Sequence, residues 1–118
     1  MSQIAYKLLD RADWDAARAA GAYAGSAVDQ ADGYIHLSTG AQLAATAAKH
    51  YAGQTGLMLV TVDLARLGDA LKWEPSRGGD LFPHLYAPLP TRAALAERAL
   101  SVDGEGVMRF DDGAVGWP

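Results

Sequence analysis

The stretch Leu57-Met58-Leu59-Val60-Thr61-Val62-Asp63 is apolar at odd and even positions alike, and it constrains the fold more than any other part of the chain. Side chains alternate across a strand, so a strand apolar on both faces must be covered on both. It is therefore expected to be a central strand. The cover has to come from 118 residues, a length that fits a single domain spanning 1–118. Half of those residues are apolar, with three Trp and five Tyr, and a chain of this size can bury a core without staples. Cysteine is absent, which excludes disulfides, thiolate zinc sites and a cysteine nucleophile.

The remaining elements follow from periodicity and punctuation. Ile4–Leu9 reads as a strand with Ile4, Tyr6 and Leu8 on one face. Asp13 is expected to cap a helix through Ala20 that stops at Gly21, with Trp14 anchoring it to the sheet. Gly21–Gly33 reads as a long connection ending in a turn at Asp32-Gly33. Tyr34–Ser38 is a short strand. Thr39 with Gln42 has the form of a capping box opening a helix from Gly40 to about Tyr51, with Leu43, Ala47 and Tyr51 as its buried stripe. A helical turn at Ala65–Leu67, strands at Leu71–Glu74 and Leu81–Ala87, a short helical piece capped by Thr91, and a hairpin over Glu97–Phe110 turning near Asp103-Gly104 complete the reading. Strands and helices mix without regular βαβ spacing, so the class is α+β.

Charge narrows the partners. The net charge is −4, and the ten Lys and Arg are scattered, so the basic stripe that bulk nucleic-acid binding requires is missing. The longest apolar run, Leu57–Val60, is far too short to span a bilayer. Met1–Asp10 lacks the pattern of a secretory signal. Cytoplasm is the expected location, and the oligomeric state is left open.

Two segments carry chemistry. In Tyr34-Ile35-His36-Leu37-Ser38, alternation sends Tyr34, His36 and Ser38 to one face. Phe82-Pro83-His84-Leu85-Tyr86 repeats the arrangement with Phe82, His84 and Tyr86. If the faces converge they form an aromatic-walled cleft with polar tips, suited to a planar ring and a sugar. The bland alternative is a pair of ordinary buried histidines bonded to backbone, and His50 is assigned that way as a helix-end residue. Ser76-Arg77-Gly78-Gly79 can wrap an anion, with glycine N–H groups approaching phosphate and Arg77 supplying a charged fork; a flexible solvated turn is the alternative. Glu74 and Asp80 flank that loop, and a carboxylate there can stabilise an oxocarbenium-like centre. No metal is expected, because no HExxH-like spacing accompanies the histidines.

Asp32-Gly33-Tyr34-Ile35-His36-Leu37-Ser38-Thr39, Leu71-Lys72-Trp73-Glu74-Pro75-Ser76-Arg77-Gly78-Gly79 and Phe82-Pro83-His84-Leu85-Tyr86-Ala87-Pro88-Leu89-Pro90 resemble the domain-of-unknown-function 952 family. Tyr6-Lys7-Leu8-Leu9, Trp14 and Tyr23-Ala24-Gly25-Ser26 fit the same pattern. The resemblance implies an ADP-ribosyltransferase-like fold, a split mixed β-sheet with two or three helices around an NAD-binding cleft. The His36/Ser38 strand is similar to the His-Leu-Ser strand of RNA 2′-phosphotransferases, which consume NAD. By that likeness His36 contacts a ribose hydroxyl and Ser38 the nicotinamide end. Arg77 approaches a phosphate, and His84 and Tyr86 complete the wall.

Two functions are consistent with these residues. One is an NAD-using ADP-ribosyl transferase-type enzyme, with His36, His84 and Glu74 as catalytic candidates and Tyr34, His36, Ser38, Arg77, Gly78 and Tyr86 as contacts to NAD. The other is a non-catalytic module binding a nucleotide- or phosphate-bearing small molecule in the same cleft. The first-strand Arg-His pair and the Glu-x-Glu element of the resembled enzymes have no counterpart here, which speaks for the second. A third use, acid/base chemistry by both histidines on a phosphodiester, requires them to address one substrate.

Overall fold

A computed structural model describes residues 3–118, apart from the side chain of Arg77. Met1 and Ser2, part of the stretch read as carrying no signal segment, lie outside the described residues. Strand β4 (Leu57–Asp63) runs antiparallel between β1 (Ile4–Asp10) and β8 (Ala94–Val102), with β9 (Met108–Phe110) beyond β8. Its double apolar character has the expected consequence. Leu57 and Leu59 pack with Leu43 and Ala47 of helix α3 (Gly40–His50) and with Leu100, Val102, Met108 and Phe110. Met58, Val60 and Val62 face the other way, into a second core around Trp14 and Ala17 of α1 (Arg11–Ala20). One strand thus divides two cores.

The sheet is split. A pair of two-residue strands, β2 (Ala22–Tyr23) and β7 (Leu89–Pro90), and a three-stranded piece in the order β3-β6-β5, with β3 (Ile35–His36), β5 (Leu71–Pro75) and β6 (Leu81–Leu85), stand beside the four-stranded sheet. The pairing departs from a mixed sheet: every strand pair among the described residues is antiparallel. The class is α+β, with three α-helices among the described residues. None of them is long and apolar enough to cross a membrane.

Four expectations shift. Helix α1 starts at Arg11, and Asp10, not Asp13, is its N-cap residue, because β1 runs into the helix without a loop. Gly21 ends it in the left-handed conformation, φ 92°. The supposed long connection contains β2 and a six-residue helix, α2 (Ala27–Asp32). Thr91 is the first residue of its 3₁₀ turn, not its cap, and donates its hydroxyl to the Gly21 carbonyl. Strand β8 begins at Ala94, three residues before the expected hairpin.

The capping box of α3 forms as read. The Gln42 N–H donates to Thr39 Oγ1, and the Thr39 N–H donates to Gln42 Oε1. Thr39→Ala is expected to lower the unfolding free energy by about 1 kcal/mol, measurable as a shifted urea midpoint with an unchanged slope.

Candidate functional site

The site begins with a register. β3 pairs with β6 so that His36 lies directly opposite His84, and Leu37 donates its N–H to the Pro83 carbonyl. Ile35, Leu37 and Leu85 turn into the core. The two imidazoles therefore share the other face, 5.7 Å apart between ring centroids. Tyr34 joins them, stacked on His84 at 4.1 Å and tilted against His36 at 4.6 Å and Tyr86 at 5.2 Å. The convergence expected from alternation is what the chain forms.

This face borders a cavity of about 550 Å³, a size typical of small-molecule sites. His36, Ser38, His84, Lys7, Lys49 and Ser76 are among the residues on its wall. A smaller hollow of about 290 Å³ lies beside Tyr34 and Tyr86, so these two rings line a different recess from the histidines. Ser38 is buried, and its hydroxyl meets Thr46 Oγ1 at 3.0 Å. His50, expected to be a helix-end residue only, also reaches the cavity wall.

Each histidine is held by carboxylates, but differently. His84 is buried, and its Nδ1 lies 2.9 Å from Glu74 Oε1. The same oxygen accepts a 2.7 Å hydrogen bond from the Tyr86 hydroxyl. The hydrogen bonds from Tyr86 and then His84 hold the Glu74 carboxyl below its ordinary range, and the bond to Glu74 pushes the Tyr86 phenol up to about 12. Glu74 does not line the cavity; it stands behind the ring. Nε2 of His84 has no hydrogen-bond partner among the described residues. A carboxylate on Nδ1 sets the tautomer that leaves Nε2 a lone pair.

His36 has no such freedom. Its Nδ1 lies 2.6 Å from Asp29 Oδ1 and its Nε2 2.9 Å from Asp32 Oδ2. Asp29, at N3 of α2, is the hub of the arrangement. Its carboxylate also accepts from the backbone N–H groups of Ser26 and His36 and pairs with Lys7 Nζ at 3.0 Å. Burial alone would raise the Asp29 carboxyl; the His36 hydrogen bond and then the Lys7 charge overcome it and hold it far below the carboxylate range. At Lys7 burial wins, and its ammonium deprotonates more readily than usual.

Lys7, Asp29 and Asp32 have no place in the sequence-derived site. Sequence signals exist for the first two. Lys7 shares a strand face with Ala5 and Leu9, where an inward lysine demands a buried partner, and Ser26-x-x-Asp29 has the capping-box form. Of the loop residues, Ser76 reaches the cavity. Gly78 adopts a left-handed conformation, φ 71°, and is not on the wall. The Ser76 and Gly79 N–H groups bond within the loop, which reduces its capacity to cradle an anion. The Arg77 side chain lies outside the described residues. No cluster of three or more His, Asp or Glu suited to a metal occurs among the described residues.

Comparison with known proteins places this geometry. The family described as "Protein of unknown function (DUF952)" matches residues 8–97. The chain belongs to that family. All of the DUF952 match lies between β1 and β8, so it contains both histidine strands. The crystal structure of protein CC0527 from Caulobacter crescentus is similar at 52% identity with a TM-score of 0.86, covering 91% of this chain and 94% of that one. Its solution NMR structure is similar at 53% identity and a TM-score of 0.76, covering 87% and 89%. No curated protein matches.

Proposed function

We propose that this DUF952 protein takes a nucleotide-like small molecule, NAD foremost, into the His36/His84 cavity and transfers ADP-ribose from it to an acceptor, within an ADP-ribosyltransferase-like arrangement of split sheets. The observation that carries the reading is the Glu74–His84 pair: a carboxylate-oriented imidazole whose second nitrogen has no partner among the described residues, on the wall of a cavity of about 550 Å³. The resemblance of the His36/Ser38 strand to that of RNA 2′-phosphotransferases supplies the substrate class.

Nicotinamide bound to ribose is already a good leaving group, departing with the bonding pair as a neutral base. What the chain has to supply is position and charge. His84 Nε2 accepts the proton of the attacking acceptor hydroxyl, and Glu74 stabilises the imidazolium that results. Ser38, on the same wall, offers a hydroxyl for holding ribose. In this scheme His36 positions the strand and the charges beside it.

A second reading has an observation of its own. Both ring nitrogens of His36 are engaged by carboxylates, which suits a module that binds without turning over. Nicotinamide release from NAD, followed across hydroxyl acceptors, separates the two. The enzyme is expected to release nicotinamide, with His84→Ala slowed by 10²–10⁴-fold and Glu74→Gln and His36→Ala slowed less. Calorimetric binding of NAD or ADP-ribose without release leaves the module. Neither binding nor release overturns both.

A further inference from the structure

The chain of contacts Lys7–Asp29–His36–Asp32 follows the cavity wall from buried to exposed, basic and acidic side chains alternating. Its two carboxylates are not equivalent. Asp29 is 2% exposed and accepts from Lys7, from the His36 ring and from two backbone N–H groups. Asp32 is the last residue of α2, its side chain is 47% exposed, and His36 Nε2 is its one hydrogen-bond partner among the described residues. Both Asp32 and His36 lie on the cavity wall. Each ring nitrogen of His36 thus faces a carboxylate oxygen: the buried carboxylate is also paired with Lys7, and the exposed one, Asp32, is held among the described residues by Nε2 alone.

We infer that His36 Nε2 is a phosphate-recognition point of the cavity and that Asp32 is its built-in occupant, an internal stand-in that the ligand's phosphate oxygens displace. This rests on the reading that the cavity takes a phosphate-bearing small molecule. The exchange is chemically close: one acceptor oxygen on Nε2 is replaced by another, and Asp32 moves into water. Asp29 cannot move likewise without leaving Lys7 buried and unpaired. With Asp32 withdrawn, the wall gains one net positive charge beside Lys49, whose ammonium has no ion pair among the described residues. Asp32 thereby sets specificity, because weakly charged ligands do not displace it and polyphosphates do.

Calorimetric titration of the full chain with inorganic pyrophosphate and, in parallel, with adenosine tests the inference. Asp32→Asn removes the competing charge at a half-exposed position and is expected to bind pyrophosphate about tenfold more tightly than the parent, with adenosine affinity unchanged. Pyrophosphate is also expected to move the Nε2 nitrogen resonance of His36, and His36→Gln added to Asp32→Asn erases the gain. Unchanged or weaker pyrophosphate binding in Asp32→Asn, a gain that survives His36→Gln, or no pyrophosphate binding by either protein overturns it. The two proposals fail separately. A tenfold gain with no affinity for NAD or ADP-ribose sustains the phosphate point and removes the NAD reading. Nicotinamide release with no gain in Asp32→Asn does the reverse.

Discussion

Asp29→Asn is expected to lower the unfolding free energy by about 3–5 kcal/mol and the melting temperature by on the order of 15 °C. The substitution keeps the size of the side chain and removes the charge. Lys7 is then buried without a counter-ion, and the His36 ring loses its strongest partner. An amide also has only one acceptor oxygen, so the Ser26 and His36 N–H groups compete for it. Lys7→Met is expected to cost less, because the remaining carboxylate keeps His36 and two backbone donors. The pH dependence has a definite sign. The folded-state pKa of Asp29 lies below its unfolded value, so its contribution is complete above about pH 4 and declines as acid carries the solution towards the folded pKa. The stability gap between parent and Asp29→Asn, measured by urea unfolding, is therefore constant near neutrality and narrows below about pH 4.

Trp14→Ala is expected to cost about 3–5 kcal/mol. Trp14 has no exposed surface and packs in the core fed by Met58, Val60 and Val62. Its indole N–H is buried without a hydrogen-bond partner among the described residues. Trp14→Phe removes that unpaired donor along with part of the ring, and the two changes oppose each other, so it is expected to cost about 1 kcal/mol. Thermal unfolding of the two variants checks the order. A Trp14→Phe protein as unstable as Trp14→Ala overturns that order.

The features legible in the sequence were those written locally. Period-2 alternation placed Tyr34, His36 and Ser38 on one face, and the Thr39/Gln42 pair opened α3 where expected. The apolar character of Leu57–Asp63 at odd and even positions announced a strand covered on both sides. The meeting of His36 with His84 followed from two local patterns and one non-local fact, the β3–β6 register, which alternation alone does not contain. Helix α2 was illegible by periodicity, since six residues make under two turns, and Ala27-Val28-Asp29-Gln30-Ala31-Asp32 has no apolar stripe. With α2 unseen, Asp29 could not be placed beneath His36, and the lysine in β1 had no visible partner. The start of α1 was misplaced because strand and helix share no loop whose residues could mark it.

The face-to-face placement of His36 and His84 is a matter of parity. One residue added or removed between Gly33 and Ser38, or within Leu81–Leu85, rotates one imidazole to the opposite side of the ribbon, and the two halves of the site part company. The tip that joins β5 to β6, by contrast, changes length without altering which way Glu74 or His84 points. Length variation in relatives that keep this site should therefore gather at the tip and spare the two ladders.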